Sequence, residues 1–449
     1  MFHPDAAKCF NDKAEALIAL VKPHTKSRSS RAQSFENEVH STSIPESDVI
    51  GMKLGKLMTY FGDTSGMLFE LDDEQFGITG EAYDAVDELV RNMYRNAQVQ
   101  STVSRDTLTE RLHEWIEQRY AKRMTQDFTD YLISNVNIKS HEIWIPINNL
   151  QIESAITIGN VRFVSLSRQV VDTWCDQMMA VAAKQGLSEE QVQHYLNRHY
   201  RAYQGYAVAV INIKAEKSKA EELAEYYARQ SIEVLRVYSK AHFQPRAFTR
   251  FDLWGSTTPQ SLHLMHVNNG DVVQLQTSVV DRDPPTEVMN DQSIREYQSC
   301  GLDILSAILL KDNPTDFEKE LLSASTTYAQ SATRKSISDK LIYTLASLEG
   351  LFLRDQSEPI TQNLAERIGF LIGEKLEERK QIIKNIRDIY RIRSAFVHHG
   401  QHSVAEDELD ALQTFMTNAW QSVNAAIQSS QKFDTRRKLL DYLDDRKLS

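Results

Sequence analysis

Four segments near the end of the chain repeat their apolar side chains at intervals of three and four residues. They cover residues 326–353, 359–372, 376–400 and 406–427. This spacing gives each segment one apolar stripe along a helix, and such a stripe must be buried against a neighbour. Because short connections join the segments, the pattern predicts an antiparallel bundle of four helices.

The third helix carries an arginine on its apolar stripe. Ile382, Ile386, Ile389 and Tyr390 form the stripe, and Arg393 continues it at the same spacing. A guanidinium in that position costs several kcal/mol unless it is paired or faces a wet groove. Position 393 is therefore a candidate functional position.

Two histidines follow near the end of the same helix. His398 and His399 precede Gly400, and glycine is a typical residue at a helix C-terminus. An imidazole exchanges protons near neutral pH, and a guanidinium holds phosphate oxygens through two hydrogen bonds. Arg393 and His398 are thus a candidate pair for chemistry on a phosphate.

The stretch R-S-A-F-V-H-H-G at 393–400 resembles the Arg-x4-His signature of HEPN domains, and its closest likeness is to the Apea-like subgroup. Two segments precede it in the order of that subgroup: A-S-L-E-G-L-F-L at 346–353 and L-A-E-R-I-G-F-L-I-G at 364–373. The resemblance covers roughly the last 130 residues. It implies a helical module of the kind found in many prokaryotic RNases of phage defence and toxin systems.

The resemblance also implies a reaction, which is metal-independent cleavage of RNA. In that reaction the ribose 2′-hydroxyl attacks the adjacent phosphate and leaves a 2′,3′-cyclic phosphate and a 5′-hydroxyl. His398 is expected to transfer the proton, and Arg393 is expected to stabilise the charge that grows on the phosphate oxygens. The family forms its active site across a dimer, so we expect a homodimer through the C-terminal bundle.

Four neighbouring residues are candidates for supporting roles at this site. Ser394 could hydrogen-bond the same phosphate, His399 is an alternative acid or base, and Tyr390 lies on the same stripe as the arginine. Three roles stay open for Glu349. It is an ion-pair partner that positions Arg393, a structural residue, or a polar group of the site.

A structural role would also explain the same residues. Arg393 would then be a buried arginine paired with Glu349 or Asp388, and His398 would cap its helix. Five residues at about 100° each place positions 393 and 398 about 140° apart on a regular helix. A shared site therefore requires a helix that loosens near Phe396, or two copies of the chain that bring their helices to one groove.

Histidine spacing also raises the question of a metal site. His398 and His402 are four residues apart, but Gly400 interrupts the helical turn between them. His263 and His266 fit ordinary strand or loop positions. We expect neither a metal ion nor a cofactor.

The composition is that of an ordinary globular protein. The chain has 449 residues, of which 41% are hydrophobic and 25% are charged, and this length allows two or three domains. It contains no apolar run of about 18 residues that could span a membrane, and its first residues lack the layout of a secretion signal. Three scattered cysteines predict neither disulfides nor a thiolate zinc site. These features favour a cytoplasmic protein, and the net charge of −11 restricts any RNA contact to a local basic cleft.

Residues 1–135 are predicted to be mainly helical. Residues 2–20, 81–96 and 107–136 have helical spacing. Residues 22–43 combine Lys, Arg, Ser and Thr with almost no apolar side chains, which is typical of a flexible linker. A solvated loop is favoured there over an RNA-binding arm.

Residues 136–315 are predicted to form an α/β domain. Its strands are expected from residue 142, in a hairpin that turns at Gly159-Asn160, and at 206–213 and 272–280. Its helices are expected at 169–184, 188–201, 217–240 and 294–310, with a turn at 281–285. Neither a phosphate-binding glycine motif nor H-E-x-x-H occurs in the sequence. A sensing or regulatory role is therefore assigned to this domain.

The expected fold class is α+β, with a mixed α/β N-terminal region followed by an all-α HEPN-like bundle at 316–449, whose tail from residue 432 is a solvated helix. The expected function is a toxic endoribonuclease effector of antiphage defence (abortive infection). Its expected partners are an RNA substrate and a phage-derived trigger, with no membrane. The alternative is a non-catalytic dimeric scaffold that recognises a ligand or a phage component.

Overall fold

The structure is a computed structural model of the chain. It describes residues 1–24, 56–58, 64–184, 188–199, 203–255, 261–268, 271–279, 286–355, 357–399 and 406–448. The chain divides into two compact units. The first comprises Met1–His141 with Ile213–Leu223, and the second comprises Glu142–Asn212 with Ala224–Ser449.

The first unit combines helices with a sheet. Its helices are α1 (Pro4–Ile18), α2 (Asp84–Tyr94), α3 (Ala97–Thr102), α4 (Arg105–Tyr120) and α5 (Phe128–Asn135), with a 3₁₀ turn at Gly80–Tyr83. Its strands are β1 (Lys22–Pro23), β2 (Lys56–Met58), β3 (Thr64–Leu71) and β4 (Glu74–Thr79). The strands form an antiparallel sheet in the order β1-β4-β3-β2.

The sheet adds strands to an N-terminal region that the sequence predicts to be mainly helical. The turn between β3 and β4 is Asp72-Asp73, and both residues have positive φ values of 52° and 66°. Positive φ at both central positions is what a type I′ hairpin turn requires. No strand was predicted here, because Asp-Asp is a weaker turn signal than Asn-Gly or Asp-Gly. The predicted linker also begins in this sheet, since Lys22–Pro23 pair with β4, whereas residues 25–43 lie outside the described residues.

Buried apolar side chains of the helices and the sheet form the core of the first unit. Leu89, Leu112, Trp115 and Phe128 are among its fully buried members. The helix predicted over 107–136 is two helices, because residues 121–127 separate α4 from α5. The indole Nε1 of Trp115 donates to the carbonyl of Gln126 within this break, at 2.9 Å.

The remaining strands follow the α/β pattern that the sequence predicts. They are β5 (Lys139–Asn148), β6 (Leu150–Ile152), β7 (Ile156–Ile158), β8 (Val161–Ser165), β9 (Ala207–Ala215), β10 (Asp252–Leu253), β11 (Ser261–Asn268), β12 (Asp271–Val279) and β13 (Glu287–Met289). Five of them form a sheet in the order β10-β5-β9-β8-β7, while β11 pairs with β12 and β13 pairs in parallel with β6. The first five residues of β9 are all buried, which confirms the prediction of a strand covered on both faces.

The hairpin predicted at Gly159-Asn160 is confirmed. Ile158 faces Val161 across the two-residue turn, and Gly159 has a positive φ of 55°. A Cβ at this glycine would lie 3.1 Å from the Cβ of Leu309, and its N–H donates to the Ser306 hydroxyl at 2.9 Å. Glycine therefore allows both the backbone conformation and the close approach of the following helical segment.

The remaining helices are α6 (Arg168–Lys184), α7 (Glu189–His199), α8 (Lys217–Arg236), α9 (Asp291–Ser299), α10 (Leu302–Leu309), α11 (Asp316–Ala332), α12 (Ile337–Phe352), α13 (Ile360–Ile372), α14 (Leu376–His399), α15 (Glu406–Ser429) and α16 (Arg436–Leu448). A short 3₁₀ helix, Lys240–Phe243, follows α8. The predicted α+β class is confirmed at this coarse level, with mixed structure first and helices in the C-terminal part. Among the described residues, no helix is both long enough and apolar enough to cross a membrane.

Two further predicted helices are each divided in the structure. The helix expected over 294–310 is α9 and α10, because Gly301 lies between them with a φ of 104°. The helix expected over 326–353 is α11 and α12. Ser336 begins α12 by accepting a hydrogen bond from the N–H of Asp339 at 3.4 Å, as an N-cap residue does.

The tail helix α16 is packed rather than solvated. Leu439, Leu440 and Leu443 are each at most 1% exposed. Asp444 on the same helix accepts two hydrogen bonds from the buried Arg367 of α13. The prediction of a solvated tail was wrong because the acidic and basic residues dominate the composition, whereas three leucines on one face decide the packing.

Candidate functional site

The motif helix α14 buries an apolar stripe and carries Arg393 at the edge of that stripe. Ile386 and Ile389 are fully buried, and Ile392 is 4% exposed. Arg393 is half-buried. Periodicity predicted that Arg393 would be buried. Ile392 occupies the buried position instead, and Arg393 lies at the boundary between the core and the surface.

A short hydrogen bond joins α14 to α12 next to this boundary. The Tyr390 hydroxyl donates to Oε1 of Glu349 at 2.6 Å, and both side chains are half-buried. Burial raises the pKa of Tyr390, and the hydrogen bond to Glu349 raises it further, while the charge of Arg393 acts in the opposite direction. Tyr390 is consequently a hydrogen-bond donor at neutral pH and not a proton acceptor.

A purely structural Arg393 was expected to pair with Glu349 or Asp388, and neither ion pair is present among the described residues. Oε1 of Glu349 accepts from Tyr390, and Asp388 lies 3.8 Å from the guanidinium of Arg391 instead. Among the described residues, no carboxylate lies within 4.0 Å of the Arg393 guanidinium. Glu349 and Tyr390 thus form a hydrogen-bonded pair between α12 and α14, and the charge of Arg393 acts on the tyrosine from the next turn of α14.

The histidines of the motif lie in the last turn of the same helix. Leu376–His399 is one continuous α-helix, so α14 does not loosen near Phe396. On a regular helix, positions 393 and 398 point about 140° apart. Positions 393 and 398 of one chain therefore lie on different sides of α14. Ser394, which follows the arginine, is half-buried. His399 ends the helix, and Gly400 and His402 lie outside the described residues.

Polar and small side chains fix α14 against its neighbours. The Asn385 side chain donates to the carbonyl of Ala411 on α15 at 2.8 Å, and its oxygen accepts from Asn418 at 3.2 Å. A Cβ at Gly369 of α13 would lie 2.9 Å from Ile383 of α14, so these two helices approach closely. The motif helix is thus held from two sides, and a precise site requires such support.

Asn385, which links α14 to α15, was not predicted from the sequence. It lies three residues after Ile382 and four before Ile389, on the stripe that also pointed to Arg393. The same signal, a polar residue at an apolar position, could have found it. The stripe therefore contains two polar residues with different surroundings.

The described residues contain no group of three or more His, Cys, Asp or Glu side chains arranged to hold a metal ion. His263 and His266 belong to β11, where they face Thr277 and Gln274 of β12. The chemistry that the site offers from its described side chains is therefore that of a cation beside a tyrosine–glutamate pair.

In comparisons with known proteins, no family model, no curated protein and no solved structure matches this chain.

Proposed function

We propose that the chain is a metal-independent endoribonuclease of the HEPN type. The observation that carries the proposal is the half-buried Arg393, which lies at the edge of the α14 stripe, beside the Tyr390–Glu349 hydrogen bond and without a carboxylate partner among the described residues. A cation held at such a boundary is suited to a phosphate oxygen, because a phosphate supplies the missing charge. The resemblance of 393–400 to the HEPN signature supplies the histidine and the reaction.

In the proposed reaction, the 2′-oxygen of a ribose forms a bond to the adjacent phosphorus, and the bond from phosphorus to the 5′-oxygen breaks. His398 accepts the proton of the 2′-hydroxyl, and a proton is returned to the leaving 5′-oxygen. Arg393 stabilises the negative charge that develops on the non-bridging oxygens. Tyr390 and Glu349 are the supporting pair near the arginine, while Ser394 and His399 remain candidates for a contact to the phosphate and for the second proton transfer.

The test compares three variants of the full chain in the presence of EDTA. Arg393→Ala and His398→Ala should abolish the cleavage of total RNA, and the products of the wild type should carry 2′,3′-cyclic phosphates. Arg391→Ala is the matched control, because it removes an arginine from the same helix with a side chain that is 79% exposed. Equal RNA breakdown by the wild type and both motif variants would identify a contaminating nuclease and would contradict the proposal.

The continuous α14 favours a site that is made by two copies of the chain. Each copy then contributes Arg393 to one site and His398 to the other, which is possible in a symmetric dimer. Mixing the two inactive variants, Arg393→Ala and His398→Ala, should restore about one quarter of the wild-type activity, because half of the dimers are mixed and each mixed dimer has one intact site. Failure of mixing to restore any cleavage, in subunits shown to exchange, would mean that each site is made within one chain.

The separation of positions 393 and 398 also favours the second candidate function, a dimeric scaffold without catalytic activity that recognises a ligand or a phage component. The same mixing experiment distinguishes the two. A scaffold would form a dimer by light scattering but leave RNA intact, in the wild type and in the mixture.

As a toxic effector of antiphage defence, the chain requires control by its N-terminal portion. A trigger can activate it only by binding an active arrangement more tightly than an inactive one. The second compact unit continues across residue 315, and the Thr249 N–H, for example, donates to the Ala332 carbonyl at 2.8 Å. The test therefore uses the full chain. Expression should inhibit growth on phage infection, and Arg393→Ala should abolish that inhibition without lowering protein abundance.

A further inference from the structure

A cleft of about 660 Å³ lies in the second unit, and no residue of α14 lines it. Its walls come from α8, the segment 249–252, and the turn between α11 and α12. Small-molecule sites in proteins have volumes on the order of 300–1,000 Å³. Among the described residues, five cationic and three acidic side chains line the cleft, although the whole chain has a net charge of −11.

On the α8 wall of the cleft, Arg236 is paired with carboxylates. Arg236 is buried, and its guanidinium donates to Glu233 at 2.8 Å and to the carbonyl of Phe251 at 2.5 Å. It also lies 3.1 Å from a carboxylate oxygen of Asp252. Two of the three acidic side chains are thereby paired with the arginine between them. The opposite wall carries two cationic side chains, Arg334 and Lys335, and the third acidic side chain, Asp339.

Arg334 on the opposite wall is held in place by its neighbours. Its guanidinium donates to Oε1 of Gln330 at 3.3 Å and to the Tyr343 hydroxyl at 3.1 Å, and it lies 4.4 Å from the centre of the Tyr343 ring. Gln330 in turn donates to Glu233 at 2.7 Å. A guanidinium that is already oriented loses little freedom when it binds an anion.

Several buried polar atoms at this cleft have no hydrogen-bond partner among the described residues. They are the hydroxyl of Thr249, the Nε of Arg334 and one carboxylate oxygen of Glu233. Thr249 is only 3% exposed. Buried polar groups are nearly always hydrogen-bonded in native proteins, so two unsatisfied donors and one unsatisfied acceptor grouped at one cleft indicate a ligand.

The start of α12 adds a further feature that favours an anion. Lys335 directly precedes Ser336, the N-cap residue of this 16-residue helix, and both line the cleft. The N–H groups of a first helical turn attract negative charge. Arg334, Lys335 and the helix start therefore lie on the same side of the cleft, together with Asp339 in the first turn of α12.

We propose that this cleft binds a small molecule with a phosphate monoester group. Arg334, Lys335 and the first turn of α12 bind the phosphate, the Thr249 hydroxyl donates to one of its oxygens, and Glu233 accepts from a hydroxyl group on the rest of the ligand. The proposal does not depend on the nuclease function, because the cleft and the motif helix share no residue.

The test is isothermal titration calorimetry on the full chain, with inorganic phosphate and ribose 5-phosphate as probes in separate titrations. Ribose 5-phosphate should bind more tightly than inorganic phosphate, because only the ester offers hydroxyl groups to Glu233. Arg334→Gln should weaken the binding of both probes at least tenfold, on the order expected for a lost charge-assisted contact. Arg246→Gln is the control, because this exposed arginine lies three residues before Thr249 but does not line the cleft.

Thr249→Val separates a ligand-binding role from a structural one. Valine keeps the shape and removes a buried hydroxyl that has no partner among the described residues, so the thermal stability should stay the same or rise. The affinity for ribose 5-phosphate should nevertheless fall severalfold. Unchanged affinity in Thr249→Val and Arg334→Gln, or no binding of either probe at millimolar concentrations, would overturn the proposal. Binding of a short oligoribonucleotide without binding of ribose 5-phosphate would also overturn it, and would assign the cleft to RNA.

Discussion

Replacing Arg367 with methionine should remove the main link between α13 and α16. The Arg367 side chain is 2% exposed and donates five hydrogen bonds. Two reach Glu358 at 2.8 and 2.9 Å, two reach Asp444 at 2.8 and 3.0 Å, and one reaches the carbonyl of Phe352 at 2.7 Å. Every N–H of the guanidinium therefore has a partner.

The expected loss of stability depends on which cations stay close to Glu358 and Asp444 when Arg367 is removed. Removing one member of a buried ion pair costs about 3–5 kcal/mol, because it leaves the partner charge buried. Asp444 keeps Arg354 at 3.0 Å and Lys447 at 2.8 Å, and Glu358 keeps Arg354 at 3.6 Å. We therefore expect Arg367→Met to lower the free energy of unfolding by about 3 kcal/mol, at the lower end of that range.

Urea unfolding followed by circular dichroism measures this cost, and hydrogen exchange of the α16 peptide shows where it acts. Exchange should accelerate over 436–448 more than over α14 or α15. Arg391→Met is the control, because the same substitution at a 79% exposed side chain should change the stability by less than about 0.5 kcal/mol. A loss below about 1 kcal/mol in Arg367→Met, or slow exchange over α16, would refute the reasoning.

The effect should also depend on pH. Hydrogen bonds from Arg367 hold the pKa of Glu358 below its usual range. Burial raises the pKa of Asp444, but hydrogen bonds from Arg367, Lys447 and Arg354 outweigh burial and leave it lowered. A lowered carboxyl pKa in the folded state contributes stability above the unfolded pKa, and this contribution is lost as the pH falls through the folded pKa. The difference between wild type and Arg367→Met should thus be largest near neutral pH and shrink below about pH 4. A difference that stays constant down to about pH 3 would contradict this account.

Three further substitutions test the packing of the second unit by the same urea assay. Gly301→Ala should destabilise the chain by about 3 kcal/mol, because the residue has a φ of 104° and a Cβ would lie 2.6 Å from Ile427. Gly350→Ala should instead stabilise it by about 0.5–1 kcal/mol, because this helical glycine has open space around a Cβ; equal effects of the two would contradict the difference in geometry. Lys340→Met should cost about 3 kcal/mol, because the buried ammonium donates to the carbonyls of Ala241, Gln244 and Ala247. A neutral outcome there would mean that water satisfies those carbonyls.

Elements with a strong period or a strong turn signal could be predicted from the sequence. The helix α14 follows from its apolar spacing, and the β7–β8 hairpin follows from Gly159-Asn160. Both signals are local, because they act within a few residues of the chain. For the same reason, helix breaks inside long periodic segments were missed. Gly301 and Ser336 each interrupt a period that continues on both sides of them.

The candidate site could be predicted only in part, for a related reason. Sequence spacing identified Arg393, Tyr390 and Glu349 as candidates, but it could not show that Tyr390 takes the carboxylate oxygen for which the arginine would compete. That result depends on the distance between α12 and α14, which are separated in sequence by 41 residues at this contact. The cleft lined by Thr249 and Arg334 was not predicted at all, because its walls come from distant parts of the chain.

Two arginines lie on or next to apolar helix stripes, and only their hydrogen-bond partners distinguish their roles. Arg367 lies between Leu364 and Ile368 on the α13 stripe, as Arg393 follows the stripe of α14. The sequence rule that selected one should have selected both. Arg367 donates all five of its hydrogen bonds within the protein and is 2% exposed, whereas Arg393 is half-buried and has no carboxylate within 4.0 Å among the described residues. A guanidinium with every donor satisfied stabilises the fold, and one without a counter-charge is available for an anion.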